Sequence, residues 1–387
     1  MQRASSVTVG SAGISAAQQS PQALPRAPDA LESVVFCLMS GCCREKKPMT
    51  TRSDLLRGLA KAGLAHTELR MGSSWLVVVP GLAARILGAG MDEENALWVA
   101  PKLVAAPWAE GGNAGGMRTW LAPELGPKGF FGPDVAGWQV PPALDPGAYS
   151  PTLPADAKPG WHAWRTSLTA DAADDGKYPI SITRSVQLDH TTTNADDPSL
   201  RFRFRHELSN EGSTVIGRRV GLWLIAQVPS AREGVITIGL RDGAATDHVR
   251  PYFTELPMGA LLMERGVACL RALGGTKYKI GVRAAAATGS IDFEGPARLG
   301  SGRMHISLRF PVDPAGTYLD RPYSPLAVGS AGPGDAVQAY NDPGTGAMAF
   351  SEIEVHAPAY SLEPGQCQCF EIEVTVRRVL SPGRPSR

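Results

Sequence analysis

The sequence predicts an all-β protein built from packed antiparallel sheets, on three observations. Glycine (43 residues) and proline (32 residues) are abundant in the 387-residue chain, and both are unfavourable inside helices and central strands. Short segments of alternating or uniformly apolar residues recur along the chain, whereas a helical pattern is clear at only one place. Many strands without intervening long helices are typical of an antiparallel sandwich and argue against a parallel α/β fold.

The clear helix comes first, and strands follow it. Residues 53–63 place Leu55, Leu56 and Leu59 on one apolar stripe, with Ser53 as the expected N-cap. A weaker helical pattern lies between residues 257 and 273. The expected strands cover residues 75–79, 84–88, 164–168, 180–188, 200–208, 220–228, 234–240, 278–283, 304–310, 348–356 and 369–376.

Residues 101–160 are rich in glycine and proline and show little periodicity. An irregular stretch of this length inside a compact domain is usually functional or disordered. Within it, the glycine-rich run 111–116 lacks the Gly-Lys-Ser/Thr ending of a phosphate-binding loop.

Two of the expected strands have faces that can be read directly. In residues 200–208 the period of two places His206 on the apolar face with Phe202 and Phe204. In residues 350–356 the apolar Ile353 and Val355 point to one side, and a polar row of three residues points to the other. That row consists of Glu352, Glu354 and His356.

The domain organisation predicted from composition has three parts. Residues 1–48 are expected to be a disordered or non-native N-terminal extension, because they lack periodicity and Met49 offers an alternative start. Residues 49–380 form a single sandwich domain, and residues 381–387 form a flexible tail. The absence of CxxC pairs argues against a zinc ribbon or a thioredoxin-like site. Cys367 and Cys369 would point the same way on an expected strand and cannot easily bond to each other, which favours a reduced, cytoplasmic protein; the alternative is an envelope lipoprotein anchored at Cys42.

Charge and motifs exclude several functional classes. The 38 basic residues nearly balance the 37 acidic ones, so no basic excess points to nucleic acid. No apolar run approaches the roughly 20 residues that span a bilayer. The seven histidines are scattered singly, so no metal site is predicted, and no motif indicates a cofactor or a serine hydrolase.

A family resemblance enters at residues 115–124, which read Gly-Gly-Met-Arg-Thr-Trp-Leu-Ala-Pro-Glu. This segment resembles the Gly-Gly-x-Arg-x-Trp-x-x-Pro-Glu signature of an uncharacterised bacterial family in the galactose mutarotase-like (aldose 1-epimerase-like) superfamily. Further resembling segments follow in the family's order at residues 208–212, 221–228, 279–281, 351–358 and 362–365. The resemblance implies an antiparallel β-supersandwich that is galactose mutarotase-like, with a sugar-binding cleft on its concave side.

The resemblance also implies a chemistry. Mutarotases use a glutamate near the C-terminal end as the base and a histidine as the acid, and Glu354 matches that glutamate, with Glu352 as the alternative. Two carboxylates on one strand face would raise one another's pKa, which suits a base, although a solvated outer face remains the competing interpretation. In the region where mutarotases have this histidine, the present sequence has Trp223 instead. His206 and His356 are therefore the candidate acids.

Sugar-binding candidates come from the same resemblance and from residue type. A guanidinium fork suits sugar hydroxyls and an indole suits the C–H face of the ring, which favours Arg118 and Trp120 as binding residues. The competing interpretation is that Trp120 fills the core and Arg118 is a structural salt-bridge partner, with Glu124 nearby. The remaining candidates for the substrate face, placed by the order of the family's segments, are His206, Asn210, Trp223 and Tyr340.

Three functions stay open at this stage, all with a small-molecule sugar or a glycan as the partner. The first is an aldose epimerase, which needs an acid and a base that converge across one cleft. The second is a carbohydrate-binding protein without catalysis. The third is a polysaccharide lyase or hydrolase on a similar sandwich, for which Tyr340 and Asn341 would lie near the site. The oligomeric state is not predicted.

Overall fold

The computed structural model describes residues 49–105, 107, 112–153, 159–189, 199–230, 233–252, 255–273, 276–322, 332–344 and 349–379. The predicted N-terminal extension, including Cys42, and the predicted C-terminal tail lie outside these ranges. Within them the chain forms one α-helix, α1 (Arg52–Lys61), one short 3₁₀ turn (Thr246–His248) and twenty-two strands.

Ten strands form the first antiparallel sheet, called sheet 1. They are β1 (Thr67–Met71), β2 (Ser74–Val79), β3 (Arg85–Met91), β4 (Glu94–Asn95), β5 (Met117–Ala122), β11 (Gly221–Pro229), β13 (Val249–Pro251), β16 (Tyr278–Arg283), β19 (Asp335–Asp342) and β20 (Phe350–His356). Their spatial order is β1-β2-β3-β5-β11-β20-β19-β16-β13, with β4 paired to β3.

Ten further strands form the second antiparallel sheet, called sheet 2. They are β6 (Ser150–Thr152), β7 (Trp161–Asp171), β8 (Lys177–Leu188), β9 (Ser199–Asn210), β12 (Val235–Leu240), β14 (Leu261–Glu264), β15 (Val267–Arg271), β17 (Ala287–Pro296), β18 (Arg303–Arg309) and β22 (Cys367–Val379). Their order is β14-β15-β12-β17-β18-β22-β9-β8-β7-β6, and β10 (Ile216–Gly217) pairs separately with β21 (Ser361–Leu362).

The core lies between the two sheets. On β22 and β9 buried apolar residues alternate with more exposed ones, as expected for a sheet with one solvated face; Phe204 and Ile372 are both fully buried. On β11, by contrast, residues 221–228 are all buried. Both faces of sheet 1 are therefore covered at this strand, which is unusual for an antiparallel sheet and directs attention to its outer face.

Helix α1 covers one end of that outer face. Leu55 and Leu59 are fully buried and belong to a cluster with Trp75, Val77 and Leu87 of β2 and β3. The N-cap is Thr51, whose Oγ1 accepts the backbone N–H of Asp54 at 2.9 Å, so the expectation of Ser53 as N-cap was wrong. The helix begins before Ser53, which therefore lies in the first turn.

Two local expectations also need correction. Residues 257–273 contain the hairpin β14–β15 rather than a helix, because their buried residues alternate with a period of two. Residues 101–160 are not loop throughout: they contain β6 and the central strand β5, which is buried at every position. A strand buried on both faces shows no polar alternation, which hid it in the sequence.

Candidate functional site

Sheet 1 carries a row of polar and aromatic side chains on the face turned away from sheet 2. Residues directly opposed in an antiparallel pair point to the same side. The register opposes Glu354 to Ile225 and Gln338, and Glu352 to Gln227 and Tyr340. Continuing these pairs across β5 and β16 defines what we call the polar face: Arg118, Trp120, Trp223, Gln227, Lys279, Gln338, Tyr340, Glu352, Glu354 and His356.

Glu354 lies at the centre of the polar face and is fully buried. Its Oε2 accepts hydrogen bonds from Nζ of Lys279 at 2.9 Å and from the indole N–H of Trp223 at 2.8 Å. Its Oε1 has no hydrogen-bond partner among the described residues. Burial raises the pKa of Glu354 to about 7 against the opposing effect of Lys279, and the carboxylates of Glu352 and Glu124 add to the rise.

Lys279 is the cation of this pair. Burial on its own lowers its pKa, but the carboxylates of Glu354, Glu124 and Asp320 outweigh burial, and the net shift is upward. The ammonium also lies 5.0 Å from the ring centre of Trp223 and 5.2 Å from that of Tyr252. Lys279 is therefore charged and held on several sides.

Glu352 is the more accessible carboxylate, with 10% of its side chain exposed. Its Oε1 accepts hydrogen bonds from Nη2 of Arg118 at 3.0 Å and from Nε2 of Gln227 at 2.7 Å. The guanidinium of Arg118 also lies 4.2 Å from the ring centre of Trp120. Arg118 of β5 thus forms a buried ion pair with Glu352 of β20, two strands away in sheet 1.

His356 and Asp320 lie beside Trp223 at one end of the polar face. The His356 ring stacks on Trp223 with centres 5.5 Å apart and planes 13° apart. Nδ1 of His356 lies 3.8 Å from Oδ2 of Asp320. Burial and Lys279 lower the pKa of His356 well below its ordinary value, whereas burial and Glu124 raise the pKa of Asp320 to about 8. Near neutral pH the histidine is uncharged and Asp320 holds a proton.

Glu124, just after the end of β5, belongs to the same cluster. Its backbone N–H donates to Oδ1 of Asp320 at 2.6 Å, and its Oε1 accepts the indole N–H of Trp138 at 3.0 Å. Four carboxyl groups therefore share this part of the protein with the two cations of the polar face: Glu124, Asp320, Glu352 and Glu354 beside Arg118 and Lys279. Because close like charges disfavour ionisation, some of these carboxyl groups must stay protonated near neutral pH.

The two flanks of the polar face are held by buried ion pairs. On one flank Asp145 accepts the indole N–H of Trp120 at 2.9 Å and pairs with Arg85. On the other flank Asp335 pairs with Arg250 at 2.5 Å and accepts the hydroxyl of Tyr252 at 2.8 Å. These pairs fix β5 and β13 at the two sides of the site.

The structure brings together eight of the ten residues expected from the sequence. Seven lie on the polar face itself and Glu124 lies next to it. His206 lies between the sheets, where Nδ1 contacts Oγ1 of Thr119 at 3.1 Å and the ring packs on Phe204. Asn210 ends β9 and donates from Nδ2 to the backbone oxygen of Leu362 at 2.9 Å. Neither of these two residues reaches the polar face.

Sequence reasoning missed Lys279, Gln227 and Asp320, and also Gln338 on β19, a strand that was not predicted. The first two lie on strands that were predicted correctly, and extending the period of two from Glu354 through the strand register would have found them. Asp320 follows β18 in an irregular segment, where no periodic signal exists.

A cavity of about 500 Å³ lies elsewhere, between residues 129–144 and residues 168–173 at the edge of sheet 2. Its lining is mostly apolar, and it contains no residue of the polar face. Among the described residues no group of three or more His, Cys, Asp or Glu side chains is arranged so that it could hold a metal ion. None of the helices in the described ranges has the length and apolar character that crossing a bilayer requires.

Comparison with a solved structure confirms the fold. The chain resembles a putative aldose 1-epimerase from Escherichia coli K12 at 13% identity and a TM-score of 0.50, with 82% of this chain and 100% of that chain covered. It also aligns with a galactose mutarotase-like protein from Lactobacillus casei at 9% identity and a TM-score of 0.49, with 81% and 100% covered. The architecture is thus that of a galactose mutarotase-like β-sandwich, as the sequence predicted.

Sequence comparison places the chain in a family. A search of curated proteins finds no match to the sequence. Residues 59–375 match the profile of a family of unknown function, DUF6786. Since this match covers most of the sandwich domain, including every residue of the polar face, the chain belongs to the DUF6786 family.

Proposed function

We propose that this protein binds an aldose on the polar face and interconverts its anomers by acid–base chemistry, with Glu354 as the base. The observation that carries the proposal is the state of Glu354. One carboxylate oxygen is fixed by Lys279 and Trp223, and the other has no hydrogen-bond partner in the described part of the chain. Its pKa of about 7 is that of a base matched to neutral conditions.

The reaction requires a base at the anomeric hydroxyl and an acid at the ring oxygen. Glu354 takes the hydroxyl proton, the bond between the ring oxygen and the anomeric carbon breaks, and rotation followed by closure gives the other anomer. Lys279 lowers the pKa of this carboxyl more than any other group does, so Glu354 can lose its proton near neutral pH. Without such a cation, burial would hold the group neutral and inactive.

Substrate binding is assigned to the part of the same face that carries Arg118 and Glu352. Arg118 and Glu352 present charged hydrogen-bonding groups, and hydroxyl-rich ligands are recognised by such groups. Trp120 and Trp223 lie edge-to-face with ring centres 5.5 Å apart and are each 2% exposed. Arg118 stacks on Trp120 and His356 stacks on Trp223, so the two indoles orient the polar groups that a sugar would meet.

His356 is the acid that the polar face offers in place of the family's histidine. It is opposed to Trp223 across β11 and β20, two positions along the strand from Glu354. Neither ring nitrogen has a hydrogen-bond partner among the residues described. Its N–H is therefore available to the ring oxygen of a bound sugar.

A lyase reaction fits the site less well. A tyrosine that abstracts a carbon-bound proton needs a lowered pKa, but burial and the carboxylates of Glu352 and Asp342 raise the pKa of Tyr340. Its hydroxyl already donates to Asp342 at 2.8 Å. Binding without catalysis remains the second candidate, favoured by the pairing of Glu352 with Arg118 and Gln227, which alone would orient a sugar.

The test is anomer interconversion measured on a panel of aldoses by polarimetry and exchange NMR. Glu354→Gln keeps the shape and removes the base, so we expect the rate to fall by about 10² to 10⁴-fold. The matched control is Glu373→Gln, an exposed glutamate on β22 of the opposite sheet, which should leave the rate unchanged.

The outcomes separate the candidates. Acceleration that Glu354→Gln abolishes and Glu373→Gln preserves supports the epimerase. Saturation-transfer signals from a bound sugar without acceleration would replace it with the non-catalytic binding protein. If no aldose in the panel is either bound or interconverted, both proposals fail.

We also propose a cytoplasmic location, with an envelope lipoprotein as the alternative. Three cysteines of the described ranges, Cys269, Cys367 and Cys369, are unpaired, as expected for a reducing compartment. Cell fractionation of the wild type beside Cys42→Ser tests this location. A membrane-bound fraction that the substitution releases would establish the lipoprotein instead.

A further inference from the structure

Asp320 and His356 form a buried acid–imidazole pair at the edge of the polar face. Asp320 is 2% exposed and His356 is 1% exposed, and Oδ2 lies 3.8 Å from Nδ1. The other carboxyl oxygen of Asp320 accepts the backbone N–H of Glu124, which fixes its orientation. Oδ2 and both ring nitrogens of His356 have no hydrogen-bond partner in the described ranges, although all three atoms are buried.

Unpartnered buried polar atoms are costly, so this arrangement calls for an explanation. A neutral imidazole is a very weak acid, and the proton on one nitrogen is lost far more easily when the other nitrogen takes a proton at the same time. The only carboxyl group that the structure describes within 4 Å of the His356 ring nitrogens is Asp320. The pair therefore contains the group that a neutral histidine needs in order to act as an acid.

We propose that Asp320 supplies a proton to Nδ1 of His356 while Nε2 of the same ring protonates the ring oxygen of the bound sugar. This inference rests on the proposed epimerase function and adds a residue to it. Asp320 acts through His356 and is therefore a positioning and proton-supplying residue that does not touch the sugar. Asp320 and His356 together would do what a single histidine does as the acid in mutarotases.

The proton balance closes in both directions. During ring opening Glu354 gains the anomeric hydroxyl proton, His356 gives its Nε2 proton to the ring oxygen, and Asp320 gives its proton to Nδ1. Ring closure reverses each transfer and restores all three groups. A movement of about 1 Å brings Oδ2 and Nδ1 to hydrogen-bond distance, and catalytic hydrogen bonds commonly tighten in this way when substrate binds.

The charged groups around Asp320 favour its protonated form. Burial and the Glu124 carboxylate raise its pKa to about 8, Glu354 adds to the rise, and Lys279 opposes it. His356 faces Asp320 as a neutral ring, because burial and Lys279 lower its own pKa. The geometry and these charges agree on one assignment, in which the proton rests on Asp320.

The first experiment is the pH profile of anomer interconversion for wild type and Asp320→Asn. Asparagine keeps the acceptor for the Glu124 N–H but has no acidic proton. We expect wild-type activity to fall as the pH rises through about 8, and Asp320→Asn to lose this fall and to be slower by about 10²-fold. A variant that keeps both the wild-type rate and the fall near pH 8 would overturn the proposal.

The chain supplies a matched control on the opposite sheet. Asp292 on β17 also faces a histidine, with Oδ1 3.4 Å from Nε2 of His305, but both side chains are partly exposed. Asp292→Asn should change neither the rate nor the pH profile. If it changes the profile as Asp320→Asn does, the effect is a general one of charge and the assignment to Asp320 fails.

A second measurement depends neither on activity nor on the Asp320→Asn variant. In wild-type protein with ¹⁵N-labelled histidine, the signals of His356, assigned with His356→Gln, should shift as Asp320 titrates near pH 8. Constant His356 signals between about pH 6.5 and 9.5 would overturn the coupling of the two groups. If wild type accelerates no aldose, the proposed function fails separately, and this titration still decides whether Asp320 and His356 share a proton.

Discussion

Replacement of Lys279 by methionine tests the electrostatic core of the site. The ammonium is 5% exposed and lies 2.9 Å from Oε2 of Glu354. Methionine has nearly the same length and is apolar, so the substitution removes the charge and keeps most of the packing. Glu354 then lies buried in the sheet without its closest cation.

The magnitude follows from the pKa of Glu354. At pH 6 the carboxyl, with a pKa of about 7, is largely protonated with or without Lys279. Above pH 7 the wild-type carboxyl ionises, whereas the variant, deprived of its strongest pKa-lowering neighbour, must keep its proton. Each pH unit above 7 therefore costs the variant about 1.4 kcal/mol relative to wild type, or about 3 kcal/mol by pH 9. Disruption of a buried ion pair typically costs about 3–5 kcal/mol, which agrees with this value.

The stability of the wild type also depends on pH through Glu354. Glu354 has a pKa above its ordinary 4.5, so its contribution to stability is fully present below about pH 4.5 and is lost as the pH rises towards 7. In the Lys279→Met variant this loss continues to higher pH. The two stability curves therefore diverge on the alkaline side.

The assay is urea-induced unfolding at pH 6 and pH 9, followed by tryptophan fluorescence. Lys277→Met is the matched control: this lysine is two residues away, pairs with Asp342 at 3.2 Å and is 62% exposed. We expect it to change the free energy of unfolding by less than about 0.5 kcal/mol at both pH values. The double variant Lys279→Met with Glu354→Gln should remove the divergence, because no buried carboxylate remains. A cost of Lys279→Met that is the same at both pH values would refute the reasoning.

Three further predictions concern the same site and its support. Trp223→Phe removes the indole N–H from Glu354, a bond to a charged group worth about 1.5–3 kcal/mol, and should move the acidic limb of the pH–rate profile up by one to two units, measured by polarimetry. Arg118→Lys keeps the charge but loses the planar fork on Glu352, and should weaken sugar binding about tenfold in a calorimetric titration while Arg203→Lys does not. Leu59→Ala should cost about 2–5 kcal/mol in urea unfolding without changing the rate at 25 °C.

The fold was predictable because its signals are local. Turn-rich composition and short alternating segments indicate an antiparallel sandwich without any knowledge of which strands pair. The polar row of Glu352, Glu354 and His356 was predictable for the same reason, since a period of two places these side chains on one face. The register confirms this placement.

The solvent exposure of that row was not predictable from its own strand. A row of charged residues on a strand is normally solvated, yet Glu354 and His356 are almost fully buried. Their burial depends on residues far away in sequence, such as Lys279 of β16 and Trp223 of β11. Since no local pattern encodes such contacts, the sequence alone left the solvated face as an open alternative.

The two glycines before strand β5 are required by close backbone packing, although in the sequence they resemble a loop. Gly115 and Gly116 precede it with positive φ values of 87° and 75°. A Cβ on Gly115 would lie 2.3 Å from the backbone oxygen of Trp98, and one on Gly116 would lie 2.3 Å from that of Ile86. The glycines are thus required by the tight entry of β5 into the centre of sheet 1, whereas in the sequence they favoured a loop.

The distribution of charge on sheet 1 argues for chemistry and against a purely structural role. A cluster that only joined strands would be most stable with one base for each acid, as in the pair of Arg250 with Asp335 at the flank. Burial raises the pKa of Asp335 in that pair to about 6. At the centre the pKa values of Glu354 and Asp320 are raised further, to about 7 and about 8, so both lose stabilising protonation as the pH rises through the neutral range. Apolar residues of similar volume would avoid this loss. Burial thus brings the pKa values of two neighbouring carboxyl groups up into the neutral range, where such groups can exchange protons, as the proposed acid–base chemistry requires.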